Sequence, residues 1–200
     1  MSQELTFKYL GISNYLETLS GMKTKLQSKD FQNEIWLLEH PPVFTLGTAA
    51  DKNHVLSPKD IPVVQSDRGG EVTFHGPGQL VIYFMIDIKK LELGPRSLII
   101  NLQKFIQSLL ARYSIESNFI EGAPGVYVKG EKIASIGLRI SKGKTYHGVS
   151  INVDMDLKPF SYINPCGYKG LRVTQIKNFK KNINLQTVID DSILLINDLF

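Results

Sequence analysis

The chain contains one cysteine, Cys166, within "INPCGYKG" (163–170). Pro165 and Gly167 flank it, and that pairing reads as a tight turn, whereas structural cysteines are usually packed among apolar residues. A thiol on a turn is either an inert group or a nucleophile. The second use needs exposure, a partner base and a means of favouring the thiolate. A free thiol titrates near ~8.5, so only a few per cent is thiolate at neutral pH without help. His75, His147 and Lys132 could each supply that help, and spacing alone does not choose among them.

Lys132 stands in "KGEKIASIG" (129–137), at the entrance to a strand whose next residues are small or apolar. Its head group either reaches water or is partly desolvated there. Lys129, at the preceding turn, reads as solvated. The glycine-dense block "RGGEVTFHGPGQ" (68–79) holds Gly69, Gly70, Gly76 and Gly78 together with Pro77, a composition that lets backbone approach a ligand. Its spacing fits neither the dinucleotide fingerprint nor the phosphate-loop pattern. Arg68 and His75 could fix a polar group while the block wraps an acyl or nucleotide ligand; the alternative is a plain surface loop. His147, in "YHGVSIN", reads as packed and hydrogen-bonded, and His40 and His54 receive no role. No paired histidines, paired carboxylates or acidic cluster points to a metal.

The elements that must position these residues follow from periodicity. Tyr15, Leu16, Leu19, Met22 and Leu26 predict a helix over 13–28. "EIWLLEH" (34–40) reads as a strand and "HPPVFTLG" as an extended turn. "IPVVQS" and "GQLVIYFMIDI" read as strands on either side of the glycine-dense block. Pro95 opens a helix striped by Leu98, Ile99, Leu102, Phe105, Ile106, Leu109 and Leu110. "NFI", "GVYVKGEKIASIGLRI" and "TYHGVSINVD" follow as strands, with Val126, Val128, Ile133, Ile136 and Leu138 largely inward around a hairpin at Gly130. "LRVTQI" reads as one more strand, and a last amphipathic helix is expected over 185–199. Strands come in runs with helices between the runs, which predicts an α+β fold: a single domain over 1–200, with a mixed or antiparallel sheet backed by helices.

Composition fits that reading. Two hundred residues, 42% apolar and 21% charged, suit one soluble globular domain with a real core. One cysteine excludes an internal disulfide, and with no leader or membrane span evident the expected compartment is the cytoplasm. A net charge of +4 is too small to argue for nucleic acid, but it is unevenly spread. From Gly122 to Asn182, 11 Lys and Arg accompany three acids (Glu131, Asp154, Asp156), a local balance of +8 against −4 elsewhere. That region is either a solvated face or a docking surface for an acidic partner.

Taken in order, "HPPVFTLG", "RGGEVTFHGPGQL", "GAPGVYV", "KIASIGLRI", "HGVSINV" and "INPCG" closely resemble the lipoyl(octanoyl) transferases of the wider biotin/lipoyl protein ligase family. The resemblance spans about residues 34–176 and shows no departure at the motif positions. It implies a biotin/lipoyl ligase-like catalytic core that carries an octanoyl group from acyl carrier protein to a lysine of a lipoyl domain. Such acceptors are the lipoyl domains of 2-oxoacid dehydrogenases and the glycine cleavage H protein. By the same resemblance Cys166 matches the acyl-thioester cysteine and Lys132 the lysine that lowers the thiol pKa. The substrate-binding positions implied are Arg68, Gly69, Gly70, Glu71, Val72, Thr73, Phe74 and His75, then Ser135, Ile136 and Gly137, then Gly148, Val149 and Ser150. No metal or cofactor is called for, because passing an acyl group between thioesters is nearly balanced and amide formation from a thioester is downhill. Burying seven chain carbons at ~0.8 kcal/mol each gives roughly 5 kcal/mol of binding. The rival readings are an ATP-dependent lipoate–protein ligase on the same fold, a cysteine hydrolase using His75 or His147, and a basic nucleic-acid module.

Overall fold

The computed structural model describes residues 5–199. Residues 1–4, the start of the segment read as carrying no leader, and Phe200, the last residue of the expected domain, lie outside them. In chain order the elements are β1 (Thr6–Ile12), α1 (Tyr15–Gln27), β2 (Glu34–Glu39), β3 (Val43–Leu46), β4 (Val63–Gln65), β5 (Val72–His75) and β6 (Gln79–Met85). Then come α2 (Pro95–Arg112), β7 (Asn118–Ile120), β8 (Ala123–Val128), β9 (Glu131–Ser141), β10 (Lys144–Asn152) and α3 (Leu185–Asn197).

Seven strands form one sheet in the order β1-β2-β6-β10-β9-β8-β7, and β4-β3-β5 form a second. The large sheet is antiparallel except for the β1–β2 pair, so the sheet is mixed, as expected. Strand β6 explains why its sequence lacks alternation. Leu80, Ile82, Phe84 and Ile86 point into the core beneath α2 and α3, while Val81, Tyr83 and Met85 pack against Tyr15, Leu19 and Met22 of α1. A strand covered on both faces reads as a continuous apolar run.

Local chemistry sets the helix ends. The Asn14 side chain accepts from the backbone N–H groups of Leu16 and Glu17, and that of Asn184 accepts from Thr187 N–H. Pro95 occupies the first turn of α2 after Gly94, and the striped residues Leu98, Leu102, Phe105, Ile106, Leu109 and Leu110 are all buried. No helix among the described residues is long and apolar enough to cross a membrane.

Four readings need correction. Strand β1 was not anticipated. The extended turn over 40–47 contains β3, and the glycine-dense block contains β5, so neither is purely loop. "LRVTQI" forms no strand; Val173 alone pairs with Lys132, as an isolated parallel bridge. Strands β3 and β5 pair with each other in the small sheet, Phe44 opposite Phe74, and their apolar side joins Phe160 and Ile163 in a separate aromatic cluster.

Candidate functional site

Strand β9 carries an irregularity that decides where Lys132 points. Val126 of β8 pairs with Ala134, but Tyr127 pairs with Lys132, so Ile133 is one residue extra on β9. Ile133 and Ala134 both enter the core under α2 and α3. This bulge places Lys132, Ser135 and Gly137 along one cavity, which simple alternation would forbid. Lys132 is only 3% exposed. Its backbone is fixed by the segment leaving the cysteine turn: Lys132 N–H donates to Arg172 O and Thr174 N–H donates to Lys132 O, both at 2.9 Å.

The cysteine turn is a single helical turn over Pro165–Gly167, with Cys166 itself left-handed at φ 55°. Asn164 N–H donates to His54 O at 2.8 Å, and Tyr168 N–H donates to Pro165 O at 3.1 Å, closing the turn from both sides. The result sets Cys166 Sγ 2.9 Å from Lys132 Nζ. The ammonium also donates to Pro124 O at 3.0 Å and lies 5.3 Å from the centre of the Tyr127 ring. Burial pushes the Lys132 amine down, but the charge and hydrogen bond of Cys166 outweigh it, so the net direction is upward. Of the three basic partners considered for the thiol, Lys132 is the one in contact. Gly125 permits that approach: a Cβ there would lie 2.5 Å from Ala134 O and 3.0 Å from Lys132 Cε.

A cavity of about 200 Å³ runs from this pair along β9 and β10. Its lining holds Cys166 and Lys132 together with Arg68, Gly69, Gly70, Glu71, Val72, Thr73, His75, Ser135, Ile136, Gly137, Gly148, Val149 and Ser150. Phe74, expected among them, points the other way into the cluster with Phe44 and Phe160, because alternation along β5 sends Thr73 and His75 to the cavity side. Ile136 and Val149 pack with the core while also lining the cavity. Gly148 is there for lack of a side chain, since a Cβ would sit 2.0 Å from Ile82 O of the adjacent strand.

Arg68 lines the cavity and also braces the wall around it. Its guanidinium donates to Thr45 O, Thr45 Oγ1, Gly69 O and Glu71 O at 2.6–3.0 Å, holding the bend before β5 against β3. No carboxylate among the described residues forms an ion pair with it. His75 is likewise occupied: its Nδ1 meets Gln79 Oε1 at 2.7 Å, and Gln79 in turn donates to Asn152 Oδ1 at 2.9 Å. Burial first, then coupling to the neighbouring His40 and Arg68, push His75 well below its ordinary value, so it is neutral.

The sequence reading missed Tyr15, Val81 and Tyr83, which also line the cavity. They looked like ordinary positions of an apolar helix and strand, and no residue-level signal separates them from core. His40, given no role, bridges Ser13 O (2.6 Å) and the Tyr83 hydroxyl (2.8 Å), and burial lowers it to about 4. Ala123 and Pro124, quoted within "GAPGVYV", form the rim near Lys132. Among the described residues no group of three metal-ligating side chains comes together.

With this geometry in place, the chain matches the model of the lipoyl protein ligase A/B catalytic domain over residues 14–194. It is 49% identical over 190 residues to an octanoyltransferase of Hahella chejuensis, covering 94% of this chain and 85% of the relative. An octanoyltransferase of Pseudomonas putida strain KT2440 is 50% identical over 190 residues, with 94% and 88% covered. Among solved structures, a bipartite lipoate protein ligase of Thermoplasma acidophilum superposes with a TM-score of 0.74 at 13% identity, over 98% of this chain and 84% of that one. A lipoate-protein ligase A bound with ATP gives 0.71 at 12% identity, over 100% and 85%. A biotin protein ligase of Aquifex aeolicus gives 0.61 at 14%, over 97% and 69%. At such identities these three likenesses speak for the fold alone.

Proposed function

The chain belongs to the lipoyl protein ligase A/B catalytic-domain family, and from that premise we propose that it transfers an octanoyl group to a lipoyl-domain lysine through a temporary thioester on Cys166. Relatives sharing about half its residues are octanoyltransferases, whereas the ATP-bound ligase shares only the fold. The observation that carries the reading is the 2.9 Å contact between Lys132 Nζ and Cys166 Sγ in the wall of one cavity.

The steps balance. The Cys166 thiolate attacks the carbonyl carbon of an octanoyl thioester, the donor's C–S bond breaks, and the departing thiolate takes a proton from the Lys132 ammonium. Acylation then removes the negative sulfur that had held the Lys132 proton, while burial, the largest influence on that amine, remains. Lys132 is left neutral, as a base must be. The acceptor amine attacks the thioester and passes one proton to Lys132 as the amide forms. The C–S bond to Cys166 breaks, and the thiolate–ammonium pair is restored. No ATP enters.

The donor on this reading is octanoyl-acyl carrier protein. The acceptors are lipoyl domains of 2-oxoacid dehydrogenases and the glycine cleavage H protein, and the chain works as one catalytic domain in the cytoplasm. Lys169, exposed three residues past Cys166, and the exposed Lys180 and Lys181 supply positive charge for an acidic carrier. Raising ionic strength is therefore expected to raise the KM for the acidic carrier several-fold with little change in kcat, as steady-state kinetics would read. An unchanged KM sinks the docking assignment.

Intact-protein mass measurement tests the covalent step. Mixed with octanoyl thioester and no acceptor, the chain should gain one octanoyl group, which an added lipoyl domain removes. Transfer without any adduct, or transfer that requires ATP and free octanoate, would favour the ligase reading.

A further inference from the structure

His147 is turned away from the side its position assigns it. On β10, Val149 and Ile151 enter the core under α2 and α3, and simple alternation would send His147 with them. Its backbone instead takes a left-handed φ of 60°. The ring stacks on Tyr146 with centroids 4.8 Å apart and meets Tyr83 at 5.9 Å, both on the opposite face. Left-handed backbone is unusual for a residue with a Cβ and persists where the surroundings over-determine it.

What fixes the ring is Asp67. Its carboxylate lies 2.9 Å from His147 Nε2, and it also accepts from the Tyr146 hydroxyl at 2.8 Å and from Lys23 at 2.9 Å. Nε2 therefore carries the proton, and Nδ1 presents a bare lone pair. Burial keeps the ring neutral, against the pull of Asp67, at about 4. Nδ1 is the one buried side-chain nitrogen or oxygen without a hydrogen-bond partner among the described residues; His147 is 1% exposed and lines the cavity. A buried acceptor left unpaired is costly, so in native proteins such a group calls for an explanation.

Its place along the cavity narrows the explanation. His147 pairs with Leu138 on β9, six residues beyond Lys132. Allowing for the bulge, that is roughly 17 Å of strand. Of the residues lining the cavity, Gly122 and Tyr168 are exposed, and Tyr168 lies two residues from Cys166, while the Tyr83 ring beside His147 is buried. An acyl chain on Cys166 would run its far end toward Nδ1, and a plain alkyl end has no proton to offer it.

We propose that His147 reads the far end of the acyl chain, its Nδ1 accepting a hydrogen bond there, so that ω-hydroxyacyl thioesters are a further substrate class. The inference rests on the cavity being the acyl site. Alkyl chains long enough to cover Nδ1 strip it of any partner and are rejected for that reason. A chain with a terminal hydroxyl at the same reach satisfies it.

The test compares donors of equal length: 8-hydroxyoctanoyl against nonanoyl thioester, then longer pairs built in the same way. A wholly apolar slot would penalise the hydroxyl by roughly tenfold or more in kcat/KM. Wild type is expected to take the hydroxyl donor within about threefold of its methyl counterpart, or better, at one length at least. In His147→Phe the hydroxyl-to-methyl ratio should fall about tenfold. His147→Asn, whose side chain tolerates left-handed backbone, should fall similarly, and reading a ratio cancels any general loss. A wild-type ratio below about one-tenth at every length, unchanged in both variants, overturns the inference while leaving octanoyl transfer intact. Absence of octanoyl transfer itself would overturn the underlying reading instead.

Discussion

Cys166→Ala is expected to lower octanoyl transfer by at least about a thousandfold, since a residue that forms the covalent intermediate has no substitute in the site. The chain holds no second cysteine to take over. The octanoyl adduct should disappear together with turnover. Stability should stay within about 1 kcal/mol of wild type in urea unfolding. Cys166 is only partly buried, and alanine makes the same left-handed demand on the backbone at φ 55°. A variant that still transfers octanoate from its thioester at a tenth of the wild-type rate or better would remove the thioester intermediate from the mechanism.

Lys132→Met should cost about a hundredfold to ten-thousandfold, the usual range for a group that moves protons in the transition state. Single-turnover mass measurement should show both halves slowed: adduct formation, because no ammonium favours the thiolate, and discharge, because no base takes the acceptor's proton. Stability should fall by about 1–3 kcal/mol, because Pro124 O loses the donor that meets it at 3.0 Å. Normal discharge of a preformed adduct would confine Lys132 to activating the sulfur.

The sequence made the site's chemistry legible and hid its geometry. The turn at Cys166, the helix begun by Pro95, the hairpin at Lys129 and Gly130, and the apolar stripe of α2 all followed from local chemistry that acts over a few residues. The small sheet did not, because β3 and β5 are four residues each, β5 lies among glycines, and four residues are too few to show a period. Lys132 shares its cavity with Ser135 only because Ile133 bulges, and His147 reaches the same cavity only through its backbone angle. Both are properties of register and φ rather than residue type. Phe74 failed for the converse reason. A motif carried over as a block ignores that neighbours on a strand face opposite ways.

Arg68 has a last consequence. Its guanidinium is buried in the wall, met by carbonyls and the Thr45 hydroxyl and by no carboxylate ion pair among the described residues, so it lends the slot a positive potential. On the proposed mechanism, that potential disfavours an arriving ammonium relative to an uncharged amine once the acyl group sits on Cys166. The species the wall favours is then the one able to react.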